Sequence, residues 1–475
     1  MSVATGAVWA VYLTALAVLA LYGLHRLTLV VRARRRRPAA APCELAAAPV
    51  VTVALPLYNE RAVAARAIAA AASLDWPRDR LEVQVLDDST DDTAAIVAAE
   101  VAAWRARGVD VVHLRRTTRT GWKAGALDAG RAVARGELHA VFDADFVPPP
   151  DFLRQTVGAF ADPGVAMVQA RWAHLNRDAS LLTRLQALLL DGHFAVEQAG
   201  RAAVGACWNF NGTAGVWRAT AIADAGGWQA DTLTEDLDLS YRAALAGWRF
   251  VYADAVRAPA ELPADLAAFK AQQFRWAKGS IECARKLVGP IATSTWPWWR
   301  RLEALFHLTH NLPYLITLVA LIAGGAAIAA GGGPAWAPVV HATSMATTAL
   351  VLAVFVAASD RPRLGALARI PALIALTAGM AVSQSRAVVL GAIGRVTPFE
   401  RTPKDGAIGR ASAPRRYRAA STGVGLLEAA LALYLAGCGS LALVRGAVVA
   451  PLIAGWLALG VAAIAISGLR GRVAA

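Results

Sequence analysis

The sequence predicts an α/β domain built on a mostly parallel sheet, combined with a helical transmembrane region. Short runs rich in β-branched residues alternate with alanine-rich helical stretches between residues 38 and 300, as in parallel sheets with helices on both faces. Apolar runs long enough to cross a hydrocarbon core of about 30 Å lie on either side of this region. Of the 475 residues, 57% are hydrophobic and 17% charged, which is too apolar for an ordinary soluble protein.

The first element is an apolar run at residues 7–31, followed at once by an arginine cluster at residues 32–37. A secretory signal has the opposite order, with its positive charge before the apolar run. Because cytoplasmic flanks carry the positive charge, we expect residues 1–37 to be a membrane anchor with its N-terminus outside. Residues 38–300 would then be a cytoplasmic domain, in a protein that we expect in a bacterial inner membrane.

The carboxyl-terminal region, residues 301–475, contains four more long apolar runs. A fifth run, at residues 370–385, is shorter than the ~20 residues that a crossing needs. Basic residues flank it on both sides, so we interpret residues 367–390 as an interfacial or re-entrant helix and residues 392–420 as a cytoplasmic loop. The C-terminus would be cytoplasmic, and the four membrane helices are predicted at residues 311–331, 337–358, 422–445 and 447–467.

The net charge of +14 does not indicate a nucleic-acid partner. The arginines cluster beside the apolar runs, as they do at the cytoplasmic ends of membrane helices, and no nucleic-acid-binding motif accompanies them. The four cysteines are far apart and lack metal-ligand spacing, so we interpret them as free thiols or core residues. Few charges lie inside the apolar runs, which argues against a transporter.

Polar side chains concentrate where the predicted strands of the α/β domain end. In such sheets, ligands bind beyond the carboxyl ends of the strands. Helix capping would explain single acids or serines there, but not paired carboxylates at two separate strand ends. These residues are Tyr58, Asn59 and Glu60 after the first strand, Asp87 and Asp88 after the second, and Asp143 and Asp145 after the fourth.

The stretch Asp143-Ala144-Asp145 predicts a metal site. Residues i and i+2 of a strand project to the same side, so the two carboxylates are expected to lie side by side. Such a pair can hold Mg²⁺ (or Mn²⁺), and the ion in turn binds phosphate oxygens of a substrate.

Two later stretches each allow a structural and a functional interpretation. Asp236, in Thr234-Glu235-Asp236, precedes a segment with helical periodicity, and is either a helix-capping acid or a catalytic carboxylate. Gln272, Arg275 and Trp276 share one helix face, and form either a basic collar at the membrane surface or a site. In a site, the amide and guanidinium would bind a diphosphate and the indole would stack on a sugar.

Six motifs in order resemble those of the processive family 2 glycosyltransferases, which include cellulose synthase and hyaluronan synthase. The resemblance is strongest to the glucomannan synthase-like branch and covers about residues 50–290. It implies a nucleotide-sugar-binding domain of the GT-A fold. The motifs are LDDSTD (86–91), GWKAGAL (121–127), DAD (143–145), NGTAGVWR (211–218), TED (234–236) and QQFRW (272–276).

The resemblance also implies roles for individual residues. Asp236 matches the catalytic base, and Asp143 and Asp145 match the ligands of the metal on the donor diphosphate. The donor-binding residues implied are Tyr58, Glu60, Asp87, Asp88, Lys123, Asp143, Gln272 and Arg275. The acceptor-binding residues implied are Asn211, Gly212, Thr213, Glu235 and Trp276. The stretch PFERTPKDG (398–406) resembles a gating loop, with Phe399, Thr402 and Lys404 in register.

The function expected is therefore an inverting transfer of a hexose from a nucleotide sugar, UDP-glucose or GDP-mannose, to a growing β-linked polysaccharide. Translocation of the product across the membrane could accompany it. The alternative is a non-processive transferase that makes a membrane glycolipid, so the acceptor is either a glycan or a lipid.

Overall fold

The computed structural model describes residues 2–35, 47–359, 364–397, 402, 404, 406 and 423–473. Its α/β domain contains a seven-stranded sheet in the order β3-β2-β1-β4-β6-β5-β7. Only β6 runs antiparallel to its neighbours, so the predicted mostly parallel sheet is confirmed. The strands are β1 (Val51–Leu57), β2 (Leu81–Asp87), β3 (Val111–Arg115), β4 (Leu138–Val141), β5 (Val165–His174), β6 (Gly215–Arg218) and β7 (Arg249–Ala260).

Helices cover both faces of this sheet, and its central strands are buried on both sides. Every residue of β2 is buried, as in strands that helices enclose. One apolar core packs α2 and α3 against the sheet, and a second packs α4, α8 and α9 against the other face. The helices of the domain are α2 (Ala64–Ala72), α3 (Thr93–Ala106), α4 (Trp122–Val133), α5 (Phe152–Thr156), α6 (Leu181–Gly192), α7 (Ala199–Ala203), α8 (Ala219–Asp224) and α9 (Glu235–Leu245).

Within the described residues, five helices are long and apolar enough to cross a membrane. They are α1 (Val3–Arg34), α12 (Leu312–Ala330), α13 (Ala337–Ala357), α16 (Gly425–Val444) and α17 (Val449–Val473), close to the predicted positions. The segment predicted to be interfacial is a bent pair, α14 (Ile370–Gly379) and α15 (Ala381–Ala392), with a 47° bend between them. The number of crossings and their orientation stay predictions.

Two further helices join the domain to the membrane region: α10 (Leu266–Thr293) and α11 (Trp298–Leu308). On α10, Lys270 forms a buried ion pair with Glu428 of α16, with 2.6 Å between nitrogen and oxygen. A side chain at Gly391 of α15 would lie only 2.7 Å from the backbone oxygen of Lys278, so α15 packs directly on α10. The helix that carries the QQFRW motif therefore packs on the apolar helices as well as on α9 of the domain.

Candidate active site

A single cleft gathers most of the residues expected in the site. It opens beyond the carboxyl ends of β1, β2 and β4, as parallel sheets predict, and encloses ≈ 1310 Å³ of space, open solvent included. The sequence-predicted residues that line it are Tyr58, Glu60, Asp88, Lys123, Asp143, Asp145, Asn211, Gly212, Glu235, Asp236, Gln272, Arg275, Trp276, Thr402 and Lys404.

One end of the cleft is formed by residues that follow β1 and β3. The guanidinium of Arg119 lies 3.4 Å from the ring centroid of Tyr58, a stacked arrangement. Asp88 accepts two hydrogen bonds from Arg116, at 2.9 Å and 2.5 Å. This end therefore offers a flat ring and polar groups held by arginines, which suit a nucleoside.

The Asp143-Ala144-Asp145 stretch lies beyond the strand that was expected to contain it, and the same-side argument is therefore wrong. Strand β4 ends at Val141, and a turn follows in which the backbone nitrogen of Phe146 donates to the oxygen of Asp143 at 3.0 Å. Both carboxylates nevertheless line the cleft, because the turn and not the pleat directs them there.

Each of these two carboxylates is paired with a lysine. Lys123 on α4 donates to Asp143 at 2.6 Å, and Lys404 donates to Asp145 at 2.6 Å. The other carboxylate oxygen of Asp145, Oδ1, is buried and has no hydrogen-bond partner among the described residues.

The donor set of this turn fits a hard divalent cation such as Mg²⁺ or Mn²⁺. Carboxylate oxygens are the ligands that such ions prefer, and the unpartnered Oδ1 of Asp145 is available for one. The described residues contain no cluster of three or more His, Cys, Asp or Glu that could hold a metal. A cation here would therefore need further oxygens from a ligand, as Mg²⁺ bound to substrate phosphates does.

Asp236 lies in the first turn of α9, as the periodicity predicted. One carboxylate oxygen, Oδ1, accepts from the backbone nitrogen of Leu237 at 2.8 Å. The other, Oδ2, would lie 3.0 Å from a Cβ placed on Gly212, whose φ is +79°. Glycine at position 212 thus permits a left-handed backbone and leaves the space in front of Asp236 open.

The pKa of Asp236 lies well above the usual range of an aspartate. Burial and the neighbouring Glu235 raise the pKa of Asp236 to about 7, although Lys123 acts against them. Burial also raises the pKa of Glu235. For Lys123, burial lowers the pKa, but the carboxylates of Asp143 and Glu235 outweigh it and the net shift is upward. A carboxyl group with a pKa near neutrality can exchange a proton during a reaction.

The opposite wall of the cleft comes from α10. Gln272, Arg275 and Trp276 line the cleft together, as their shared helix face predicted. The guanidinium of Arg275 donates to the hydroxyl of Thr402 at 3.1 Å. The ring of Trp276 lies 6.4 Å from that of Trp172, centroid to centroid, so that the two indoles form an apolar surface beside the polar groups.

Two of the expected site residues within the described part of the chain do not line this cleft. Asp87 is fully buried and accepts from the backbone nitrogen of Ser89 and from His113. Thr213 is also buried, and its hydroxyl accepts from the backbone nitrogen of Asp143 at 2.9 Å, so it positions Asp143 from behind. Phe399 lies outside the described residues.

Sequence reasoning missed other residues of the site. Arg116 could have been found, because it follows β3 at the same edge of the sheet as Asp88. Trp172 and His174 lie at the end of β5 without any local polar pattern that marks them. The missed residues that line the cleft or bind its wall include Arg116, Arg119, Trp172, His174 and Glu261.

Comparison with known proteins identifies the family that the α/β domain matches. Residues 48–279 match the family model described as glycosyltransferase like family 2. The probable glucomannan 4-beta-mannosyltransferase 7 of Oryza sativa subsp. japonica is 48% identical over 244 residues, which are 50% of this chain and 42% of that protein. Glucomannan 4-beta-mannosyltransferase 2 of Arabidopsis thaliana is 44% identical over 264 residues, 54% of this chain and 49% of that protein. The chain thus spans about half the length of these relatives.

A solved structure supports the GT-A-type fold. The mannosyltransferase PcManGT from Pyrobaculum calidifontis, in complex with GDP-Man and Mn²⁺, is similar over 74% of this chain and 97% of its own, with a TM-score of 0.54. The two sequences are 24% identical, so the likeness concerns the fold.

Proposed function

Because residues 48–279 are a family 2 glycosyltransferase domain, we propose that this protein is an inverting hexosyltransferase that extends a β-linked polysaccharide. One observation carries the proposal: Asp236, with a pKa of about 7, lines the same cleft as Asp143, Asp145 and Arg275. A general base and a diphosphate-binding set are the two parts that sugar transfer from a nucleotide donor requires.

In the proposed reaction, Asp236 removes the proton of the acceptor hydroxyl as that oxygen attacks the anomeric carbon. The bond from this carbon to the donor diphosphate breaks on the opposite side. A single displacement of this kind inverts the configuration, so an α-linked donor gives a β-linked product. A positioned carboxylate base contributes about 10²–10⁴-fold to such a rate.

The leaving nucleoside diphosphate gains negative charge, and positive groups of the cleft would offset it. Arg275 and Gln272 on α10 are proposed to bind the diphosphate, with Lys123 and Lys404 from the other side. Asp143 and Asp145 would hold a divalent cation, which supplies electrostatic stabilisation of the diphosphate when bound.

Thr402 and Lys404 support a contact of the predicted gating loop with the donor, since they reach Arg275 and Asp145 respectively. If Asp145 held a cation, Lys404 would be free to face the diphosphate. A loop that covers the donor would limit its hydrolysis by water. A Lys404→Ala variant would then hydrolyse more donor per sugar transferred, whereas an unchanged ratio would remove this role.

GDP-mannose is the donor that we propose in preference to UDP-glucose, because the relatives in rice and Arabidopsis are named glucomannan 4-beta-mannosyltransferases. The experiment incubates the purified protein with each radiolabelled donor and separates the products by length. Long β-linked chains from GDP-mannose are expected. A single sugar on an extractable lipid would instead support the glycolipid alternative, and no transfer from either donor would overturn the proposal.

The apolar helices support a membrane protein, and we propose that its domain faces the cytoplasm and that the product crosses the membrane. The relatives named above are plant proteins, so they do not support a bacterial inner membrane in particular. A cysteine at Asp79, whose side chain is 80% exposed, tests the orientation. It should react with an impermeant thiol reagent only after lysis, with the parent chain as control, and labelling in intact cells would put the domain outside.

A further inference from the structure

A π-helical turn interrupts the helix that runs along the acceptor side of the cleft. It covers His193–Gln198, between α6 and α7. Such turns are rare and occur often at functional sites, because the extra residue redirects side chains. Here the turn directs His193 and Gln198 to the same neighbour, Asn211, which lines the cleft.

Asn211 is held by three side chains. Its carboxamide oxygen lies 3.3 Å from Nε2 of His193, and its carboxamide nitrogen donates to Oε1 of Gln198 at 2.8 Å. Its backbone nitrogen donates to Oε1 of Gln169 at 2.9 Å. The residue is followed by Gly212, whose Cα faces Asp236. A shift of Asn211 would therefore move the backbone in front of the carboxylate that is proposed as the base.

His193 is itself oriented by an acid. Its Nδ1 lies 3.1 Å from Glu197, one helical turn along, and Glu197 also forms an ion pair with Arg26 of α1 at 3.0 Å. Burial raises the pKa of Glu197, but Arg26 and His193 outweigh it and hold that pKa well below its usual range. An ionised Glu197 fixes the imidazole ring in the way that a carboxylate orients histidines elsewhere.

We propose that His193, oriented by Glu197, is a positioning residue that fixes Asn211 for the acceptor sugar. The inference rests on the proposed function and adds to it a chain of contacts from the membrane helix α1 to the acceptor side: Arg26, Glu197, His193 and Asn211. None of the six motifs includes His193 or Glu197. On the other side of Asn211, Lys123 and Lys404 pair with Asp143 and Asp145, and Lys123 also donates to the backbone oxygen of Gly212 at 2.8 Å.

The experiment uses GDP-mannose as donor and a β-1,4-linked manno-oligosaccharide as acceptor, with the full-length protein in detergent. His193→Ala should raise the acceptor KM about tenfold, the worth of one hydrogen bond to a buried polar group. The donor KM and the slow hydrolysis of the donor by water should stay within about twofold. Glutamine places an amide, which can donate or accept, near the position of Nε2, so His193→Gln should recover most of the acceptor affinity.

The control is Arg184→Ala on α6, because Arg184 is half-buried and contacts Asp178 rather than Asn211. An unchanged acceptor KM in His193→Ala, or equal losses for donor and acceptor, would overturn the positioning role. So would a glutamine variant no better than the alanine variant. If the wild type neither transfers mannose nor hydrolyses the donor, the proposed function fails, and this inference fails with it.

Discussion

The aspartate carboxylates in two parts of the cleft have different surroundings. Asp143 and Asp145, on the wall proposed to bind the donor (the donor wall), each accept from a lysine ammonium at 2.6 Å. Asp236, in contrast, forms no ion pair within the described part of the chain, and the adjacent Glu235 is a second buried acid. Burial and a neighbouring acid both disfavour a charged carboxylate, which is why the pKa of Asp236 is raised to about 7.

The surroundings of these three acids fit the different roles proposed for them. Asp143 and Asp145, which pair with lysines, offer the carboxylate oxygens that a divalent cation prefers, and such a cation binds a diphosphate in turn. A carboxyl group with a pKa of about 7 suits a base that must take up and release a proton at each turnover. Four experiments test these proposed roles and that of Trp276.

The largest effect is expected for Asp236→Asn, which removes the base and keeps the size of the side chain. Transfer should fall by at least about 10²–10⁴-fold, the contribution of a general base, while donor affinity changes little. Calorimetric titration with the donor and a radiolabel assay measure the two quantities. The control is Asp128→Asn, because Asp128 on α4 is 44% exposed and pairs with Arg131. Normal turnover in Asp236→Asn would remove this residue from the role of base.

The second effect concerns the donor wall. Chelation of divalent cations should stop transfer, and Asp145→Asn should lower kcat/KM by about 10²–10³-fold, since a cation contributes several kcal/mol to a developing charge. The variant should also need more Mg²⁺ or Mn²⁺ for half-maximal rate. The measurement is a metal titration at saturating donor. Full activity in excess chelator would contradict a metal at this wall.

The third effect is a pH dependence. Since the base form of Asp236 is the deprotonated one and its pKa is raised to about 7, kcat/KM should fall about tenfold per pH unit below that value. An unshifted aspartate would keep its base form down to much lower pH. Lys123 lowers the pKa of Asp236, so Lys123→Met should move the acidic limb of the profile to higher pH. A rate that is flat between about pH 5 and 8 would exclude a base with this pKa.

The smallest effect is expected for Trp276→Ala. The loss of a stacking surface should lower chain elongation by roughly tenfold, about 1–2 kcal/mol, and lower donor hydrolysis less. Trp298→Ala is the matched control, because Trp298 is 74% exposed on α11 and does not line the cleft. If Trp276 is only a membrane anchor, both activities should fall equally and less protein should reach the membrane.

The strands, the helices and the residues that share a helix face could be predicted from the sequence. Alternating β-branched and alanine-rich runs predicted the sheet, and apolar length predicted the five long helices. It also predicted that Gln272, Arg275 and Trp276 share a face, and that Asp236 begins a helix. These are local properties, because the helical repeat and the burial of a strand depend on residues a few positions apart.

The contacts between side chains of distant elements could not be predicted in this way. The neighbours Asp87 and Asp88 look alike in sequence, yet one is buried against His113 and the other lines the cleft. Lys404 pairs with Asp145 from 259 residues away, and no local spacing encodes that contact. Trp172 and the chain from Arg26 to Asn211 depend in the same way on distant elements that pack together. The helix or strand repeat gives the direction of a side chain on its own element. Packing between elements determines its contacts, and those contacts shift its pKa.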